Sequence, residues 1–373
     1  MAGEIVIVGA GPAGLACAAA LRVRGRKSTI FEATDHVAAS WHGHYDRLHL
    51  HTSKAHSALP GQPMPATFAR YPSRRQIIEY LENYARTQGL QIRKHKRVTR
   101  IQRLGDWVIG TEDGEQFGAS AVVVATGLSR KPVIPDWAKE TSFAGTIIHS
   151  SDYRNATALN IRKVLVVGFG NSAGEIALEC ASAGLDVAIS VRGPVNIVPR
   201  ELLGIPSATI AIAERHLPPR IVDALNAPLL WLRYRDLTSF GLQRAAKGPL
   251  TTMAERGRTP LIDIGTIAAI RRGDIKVFPG VASLAGSSVR FENGLTFDCD
   301  TIVLATGYAP ALGSLLPDIT WRFPETLRPN RGDLHPHGDQ LYFCGFNPAT
   351  TGLLRQIGIE AEVIASSIVA QAC

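Results

Sequence analysis

Two stretches of this chain ask for the same local fold. Residues 5–32 run as a short β-branched segment (IVIV), the turn GAGPAG, an alanine-rich stretch ending near Gly25, and a second apolar segment from Lys27 to Phe31 closed by Glu32. Glycines at 9, 11 and 14, with an acid 18 residues after the last of them, have the spacing of a strand–turn–helix–strand unit that binds a dinucleotide. Gly9 permits the turn, Gly11 lets backbone approach a pyrophosphate, and Gly14 lets the helix pack close. Pro12 and Ala13 open a helix whose N-terminus attracts phosphate, and Glu32 is placed to accept hydrogen bonds from ribose hydroxyls. A glycine triplet alone is weak evidence. Strand, helix and acid together are strong.

The pattern recurs. Lys163 to Val167 (KVLVV) leads into GFGNSA, with Gly168, Gly170 and Ala173 at the three positions and Asn171 and Ser172 between them, then a helix through Cys180 and a strand from Asp186 to Val191. This second strand ends in SVRG instead of an acid. Arg192 suits a 2′-phosphate and favours NADP over NAD; the alternative is an exposed strand-end cation. An acidic and a basic ribose site in one chain point to FAD and NADPH together.

Two apolar strands ending in Ala-Thr-Gly, AVVVATG (121–127) and TIVLATGY (301–308), mark where the chain passes between nucleotide-binding domains. The expected architecture is α/β, with two Rossmann-like dinucleotide-binding domains. The FAD domain is discontinuous (1–157 and 299–373), and the NADPH domain is inserted at 158–298. A helical segment at about 201–260 is broken by Pro206, Pro218, Pro219 and Pro228; it reads as a lid, a dimer surface, a membrane-surface patch, or helices packed on the second domain.

Composition narrows the function classes. The 373 residues suit two interrupted domains, and the net charge of +8 raises nucleic acid, anionic membrane or an anionic ligand as partners. No basic run with interleaved aromatics supports nucleic acid. The five cysteines stand singly, without a CxxC or metal-ligand spacing, which points to a reducing cytoplasm and argues against both a metal site and a disulfide reductase with a redox pair. The uncharged run after Glu4 contains Gly9, Gly11, Pro12 and Gly14, so no transmembrane segment is expected there.

FAGTIIHSSDY (143–153) resembles the FxGxxxHxxxY/F fingerprint of class B flavin-dependent monooxygenases through Phe143, Gly145, His149 and Tyr153. YDRLHLHTSK (45–54), YPSRRQIIEYLENYA (71–85), VLVVGFGNSAGEIA (164–177), FGLQR with KGPL (240–250), and GRTPLIDIGTIAAIRRGDIKVFPGV (257–281) extend that resemblance over most of the chain, nearest to the YUCCA-type branch. It implies an NADPH- and FAD-dependent monooxygenase working through a flavin C4a-(hydro)peroxide on a small organic substrate. Oxidative decarboxylation of an aromatic 2-oxo acid such as indole-3-pyruvate comes first. N- or S-oxygenation, and an NADPH oxidase releasing hydrogen peroxide, are the alternatives.

The resemblance also distributes residues. Gly9, Gly11, Pro12, Ala13, Gly14, Glu32, Ser40, Trp41, Thr52, Ala125, Thr126 and Gly127 are expected on FAD. Gly168, Gly170, Asn171, Ser172, Ala173 and Arg192 are expected on NADPH. Phe143, Gly145, His149 and Tyr153 belong to the interdomain connection, where His149 is better suited to a structural role than to that of a general base. His51 stands where many N/S-oxygenating relatives have Asn; it is either catalytic or a packed histidine. Arg355 and Lys54 are candidates for an anionic substrate carboxylate, dioxygen is a co-substrate, and a homodimer is compatible with the sequence.

Overall fold

The two fingerprints fold as two units of the same design. The computed structural model describes residues 4–139, 142–317 and 340–371. Within those, one unit takes residues from 1–42, 52–131 and 308–373, and the other 43–51 and 132–307.

In the first unit, Ile5–Val8 is buried on both faces, as an all-apolar parallel strand must be. It lies between Thr29–Phe31 and Ala121–Val124, pairing Val8 with Phe31 on one side and with Val124 on the other. Gln91–Arg93 and Leu341–Phe343 complete a five-stranded parallel sheet. The chain leaves the first strand towards one edge and later returns to the other, so the crevice at its carboxyl end is the topological switch point. The first fingerprint helix, Pro12–Val23, starts there, and the C-terminal helix Leu353–Ala370 packs along it.

The second unit repeats the plan. Lys163–Val167 lies between Asp186–Ser190 and Thr301–Leu304, flanked by Ile275–Phe278 and Thr146–His149, all parallel. Its fingerprint helix is Asn171–Ser182. A three-stranded antiparallel sheet precedes the Ala-Thr-Gly strand in each unit: Val98–Leu104, Asp106–Thr111 and Gln116–Ala119 in the first, Val281–Ala285, Ser288–Phe291 and Thr296–Asp298 in the second.

These pairings put the divisions between compact units elsewhere than 157/158 and 298/299. Thr146–His149 and Thr301–Leu304 both hydrogen-bond into the second sheet, so that unit extends from 132 to 307. The helical segment contains Ser207–Ala213, Pro219–Arg233 and Pro249–Arg256. Pro218 and Pro219 open the second of these, but Pro228 lies inside it instead of breaking it. The backbone acceptor it deprives is on the exposed Ala224, where water can serve.

Candidate functional site

Each glycine turn is shaped by its own Ala-Thr-Gly strand. Gly9 has φ +107°, and a Cβ there would stand 2.7 Å from the Ala125 carbonyl oxygen. Gly168 has φ +122°, and its Cβ would stand 2.5 Å from the Ala305 carbonyl oxygen. Both positions combine left-handed backbone with contact against a neighbouring carbonyl, so only glycine fits. A Cβ on Gly14 would collide with the Gly9 carbonyl. By contrast, a Cβ on Gly11 or Gly170 would meet nothing within 4 Å. Neither fingerprint helix has a side-chain cap at its N-terminus. Open space in front of uncapped N–H groups is what a diphosphate requires, and both cradles therefore fit a dinucleotide.

Glu32 is buried and already occupied. One carboxylate oxygen accepts from the Ala10 N–H at 2.8 Å, and the other from the Thr34 N–H at 3.0 Å and its hydroxyl at 3.1 Å. It braces the glycine turn, and a carboxylate's roughly four acceptor sites leave room for a ribose hydroxyl as well. The Ala38 N–H donates to the Ala10 carbonyl at 3.0 Å, which places exposed Ser40 and half-buried Trp41 on a short helix tied to the turn. Thr52 shares a 2.7 Å hydrogen bond with Ser57 and sits against Gly352, where a Cβ would approach its Cβ to 3.4 Å. The Thr126 hydroxyl is buried with no hydrogen-bond partner among the described residues, whereas its counterpart Thr306 donates to the Val133 carbonyl at 2.5 Å. Gly127 follows in the same loop with φ +77°.

In the second cradle, Ala173 is fully buried and the tight packing moves one residue on. A Cβ at Gly174 would stand 2.7 Å from Leu261 Cδ1 and 3.0 Å from the Thr266 hydroxyl. The Asn171 side-chain oxygen accepts the Ile262 N–H at 2.8 Å, fixing the helix start to the neighbouring strand. Ser172 is half-buried beside it, and Arg192 is exposed beyond the end of Asp186–Ser190 with no ion pair among the described residues.

The fingerprint around residue 150 forms a structural spine of the second unit. A Cβ on Gly145 would clash with the Phe143 ring at 2.7 Å, so that ring folds back over the glycine. His149 Nδ1 accepts the Ser151 N–H at 3.1 Å, and Nε2 lies 3.1 Å from the Gly307 carbonyl oxygen, to which it donates. The ring is thus the neutral Nε2–H tautomer, and burial holds its pKa below the ordinary histidine value despite the Gly307 bond. Tyr153 is fully buried; its hydroxyl donates to Glu179 at 2.9 Å and its ring packs edge-on against Tyr45. Burial raises both the Tyr153 and the Glu179 pKa.

His51 Nε2 lies 2.9 Å from Glu175 Oε1, a carboxylate 3% exposed on the second fingerprint helix. The two atoms are within contact distance but are not aligned as a hydrogen bond, and both ring nitrogens and Glu175 Oε1 lack hydrogen-bond partners among the described residues. Unsatisfied buried polar atoms of this kind mark a place for a further polar group. Glu175 has no motif signal of its own, because it reads as one more helix residue.

Other unsignalled residues support the first cradle. Glu360, fully buried, accepts from the Gly345 N–H at 2.8 Å and from the Asn347 and Gln356 amides at 3.2 Å, while Gly345 reaches to Ala13. Of the two candidates for a substrate carboxylate, Lys54 is committed, its ammonium donating to the Ala66 carbonyl at 2.5 Å and the Phe68 carbonyl at 2.6 Å. Arg355 is half-buried near the start of Leu353–Ala370. The four described cysteines are buried free thiols; Cys344 Sγ donates to the Ile357 carbonyl at 3.9 Å, and its neighbour Cys17 together with burial pushes its pKa well up. A thiol held protonated is a poor redox nucleophile. Cys373 lies outside the described residues.

Residues 6–200 match the pyridine nucleotide-disulphide oxidoreductase family. The chain is 39% identical over 318 residues to indole-3-pyruvate monooxygenase YUCCA1 of Oryza sativa subsp. japonica, covering 84% of this chain and 78% of that one. It is 38% identical over 325 residues to indole-3-pyruvate monooxygenase YUCCA6 of Arabidopsis thaliana, with the same shares. Among solved structures, the flavin-containing monooxygenase of Stenotrophomonas maltophilia superposes with a TM-score of 0.75 at 21% identity, over 100% of this chain and 99% of that one.

Proposed function

This chain belongs to the YUCCA-type family of flavin-dependent monooxygenases, and from that membership we propose that it oxidatively decarboxylates a 2-oxo acid of the indole-3-pyruvate class, using FAD, NADPH and dioxygen. One oxygen atom enters the product carboxylate, the other leaves as water, and the bond between the carboxylate and the keto carbon breaks to release carbon dioxide. The observation that carries this reading is the pair of open glycine cradles in one chain, one backed by buried Glu32 and the other flanked by exposed Arg192.

Bound FAD and NADPH supply the hydride transfer and the activation of dioxygen. The chain's own residues bind, orient and exclude water. Gly9, Gly11, Pro12, Ala13 and Gly14 hold the FAD diphosphate, with Glu32 on the ribose and Ser40, Trp41, Thr52, Ala125, Thr126 and Gly127 around the rest. The unpartnered Thr126 hydroxyl supports that assignment, since a bound group would satisfy it. Gly168, Gly170, Asn171, Ser172 and Ala173 hold the NADPH diphosphate, and Arg192 holds the 2′-phosphate. His51, supported by Glu175, offers a ring nitrogen to the reacting centre. Arg355 stays a candidate for the substrate carboxylate on its charge, whereas Lys54 is committed to two backbone carbonyls.

The test is a stoichiometry. The purified yellow protein should form one equivalent of indole-3-acetate per NADPH consumed in the presence of indole-3-pyruvate, with little hydrogen peroxide. Stoichiometric peroxide with every 2-oxo acid tried would overturn the reading. Equal rates with NADH and NADPH would remove Arg192 from it.

A further inference from the structure

Among the described residues, eight of the fourteen exposed large apolar side chains lie between residues 203 and 232, and the other six are scattered. Five of the eight belong to the helix Pro219–Arg233. Its inward side is fixed by Val222, 1% exposed, and by the Asp223 carboxylate, which accepts the Leu250 and Thr251 N–H groups at 3.0 and 2.8 Å. At roughly 100° per residue, Ile221, Leu225, Leu229 and Leu232 fall within an arc of about 80° that lies opposite Asp223 and is bordered on the Leu229 side by Val222. They are 49%, 63%, 40% and 56% exposed, and Trp231, on the flank away from Val222, is 57% exposed. From residue 224 to 232 there is no charge. A contiguous apolar stripe of this kind marks an interaction surface.

The charges around the stripe say what covers it. Arg215, Arg220, Arg233 and Arg235 are all exposed; Asp236 is the one exposed acid of segment 214–236, and exposed Glu255 of the next helix lies 3.6 Å from Arg220 and pairs with Lys247 as well, so the balance around the stripe stays positive. Asp223 caps the next helix, and Glu214 is engaged by the Asn226 amide at 3.2 Å. A second copy laid on the stripe, parallel or antiparallel, would set arginine ends against arginine ends, which costs affinity. An anionic surface meets the same ends favourably, and the whole chain carries +8.

We infer that Pro219–Arg233 docks on an anionic lipid surface. The helix lies in the plane of the interface, its leucine stripe among the upper acyl chains, its arginines at the phosphates and Trp231 at the boundary. No described helix is long and apolar enough to cross a membrane, so the attachment is peripheral.

The experiment is co-sedimentation of the full-length, flavin-loaded protein with vesicles of phosphatidylcholine, alone or with about one quarter phosphatidylglycerol. Binding is expected only with the anionic vesicles and should weaken as salt rises. Leu225→Glu with Leu229→Glu should reduce the bound fraction about tenfold or more. NADPH turnover by that double variant, unchanged from the parent, establishes that it is folded; the milder Leu225→Ser serves if it is not, with a smaller loss expected. Failure of the parent protein to sediment with anionic vesicles at low salt overturns the inference. So does equal sedimentation of parent and folded variant, or a concentration-dependent dimer in analytical ultracentrifugation that the double substitution abolishes.

Discussion

Glycines in one motif serve different physical ends, and substitution separates them. Gly9→Ala drives a Cβ onto the Ala125 carbonyl and forces a strained backbone, so loss of folded protein or a fall in stability of several kcal/mol is expected, measured by thermal melting of the apoprotein. Gly11→Ala meets nothing within 4 Å. Its apoprotein should melt within a few degrees of the parent while the flavin-to-protein absorbance ratio drops sharply. A Gly11→Ala protein retaining full flavin would remove that position from the cradle. His51 and Glu175 are tested as a pair. His51→Ala and Glu175→Gln should each raise the fraction of NADPH diverted to hydrogen peroxide. If Glu175 acts only through His51, the double variant should be no worse than His51→Ala, to within about 0.5 kcal/mol in turnover. Strict additivity would show that the two act separately.

The connecting fingerprint behaves as a packing device. Tyr153 is buried with its hydroxyl on Glu179, and Tyr153→Phe leaves that carboxylate short of a donor. A loss of about 1–3 kcal/mol is expected in denaturant unfolding, with the NADPH KM nearly unchanged. A large KM change with unaltered stability would instead assign Tyr153 to nucleotide binding. The helix containing Pro228 is a second case. Proline, read locally, breaks a helix; here the bond it removes lies on a water-facing side, so the helix runs on.

At the scale of the whole chain, His149 links folding to pH. Its folded pKa lies below the ordinary value of about 6.5 because burial disfavours the imidazolium. The unfolded chain therefore binds the proton more readily. Stability is full above about pH 6.5 and is lost as pH falls from there through the lowered folded value. Unfolding free energies at pH 7.5 and 5.5 should fall less on acidification in His149→Asn than in the parent. Equal falls would show that other groups carry the acid limb. The duplicated build also belongs to this scale. Each Ala-Thr-Gly strand follows a three-stranded antiparallel sheet and lies beside its own glycine turn, which explains why the tripeptide occurs twice.

The sequence by itself determined both cradles, because a fingerprint is local: strand, turn and helix within about thirty residues, with glycine needed wherever a side chain would collide. It also determined the family, through colinear agreement along most of the chain. Tertiary structure decided which sheet each later strand joins, and so which stretches share a compact unit: 1–42, 52–131 and 308–373 in one, 43–51 and 132–307 in the other. Parallel pairing joins residues far apart in sequence and leaves no periodic trace of its partner. Tertiary structure likewise decided that Lys54 is committed, that Glu175 meets His51 and that Glu360 braces the loop at Gly345. A buried carboxylate is identified by the donors folding brings to it, and no spacing in the chain announces them.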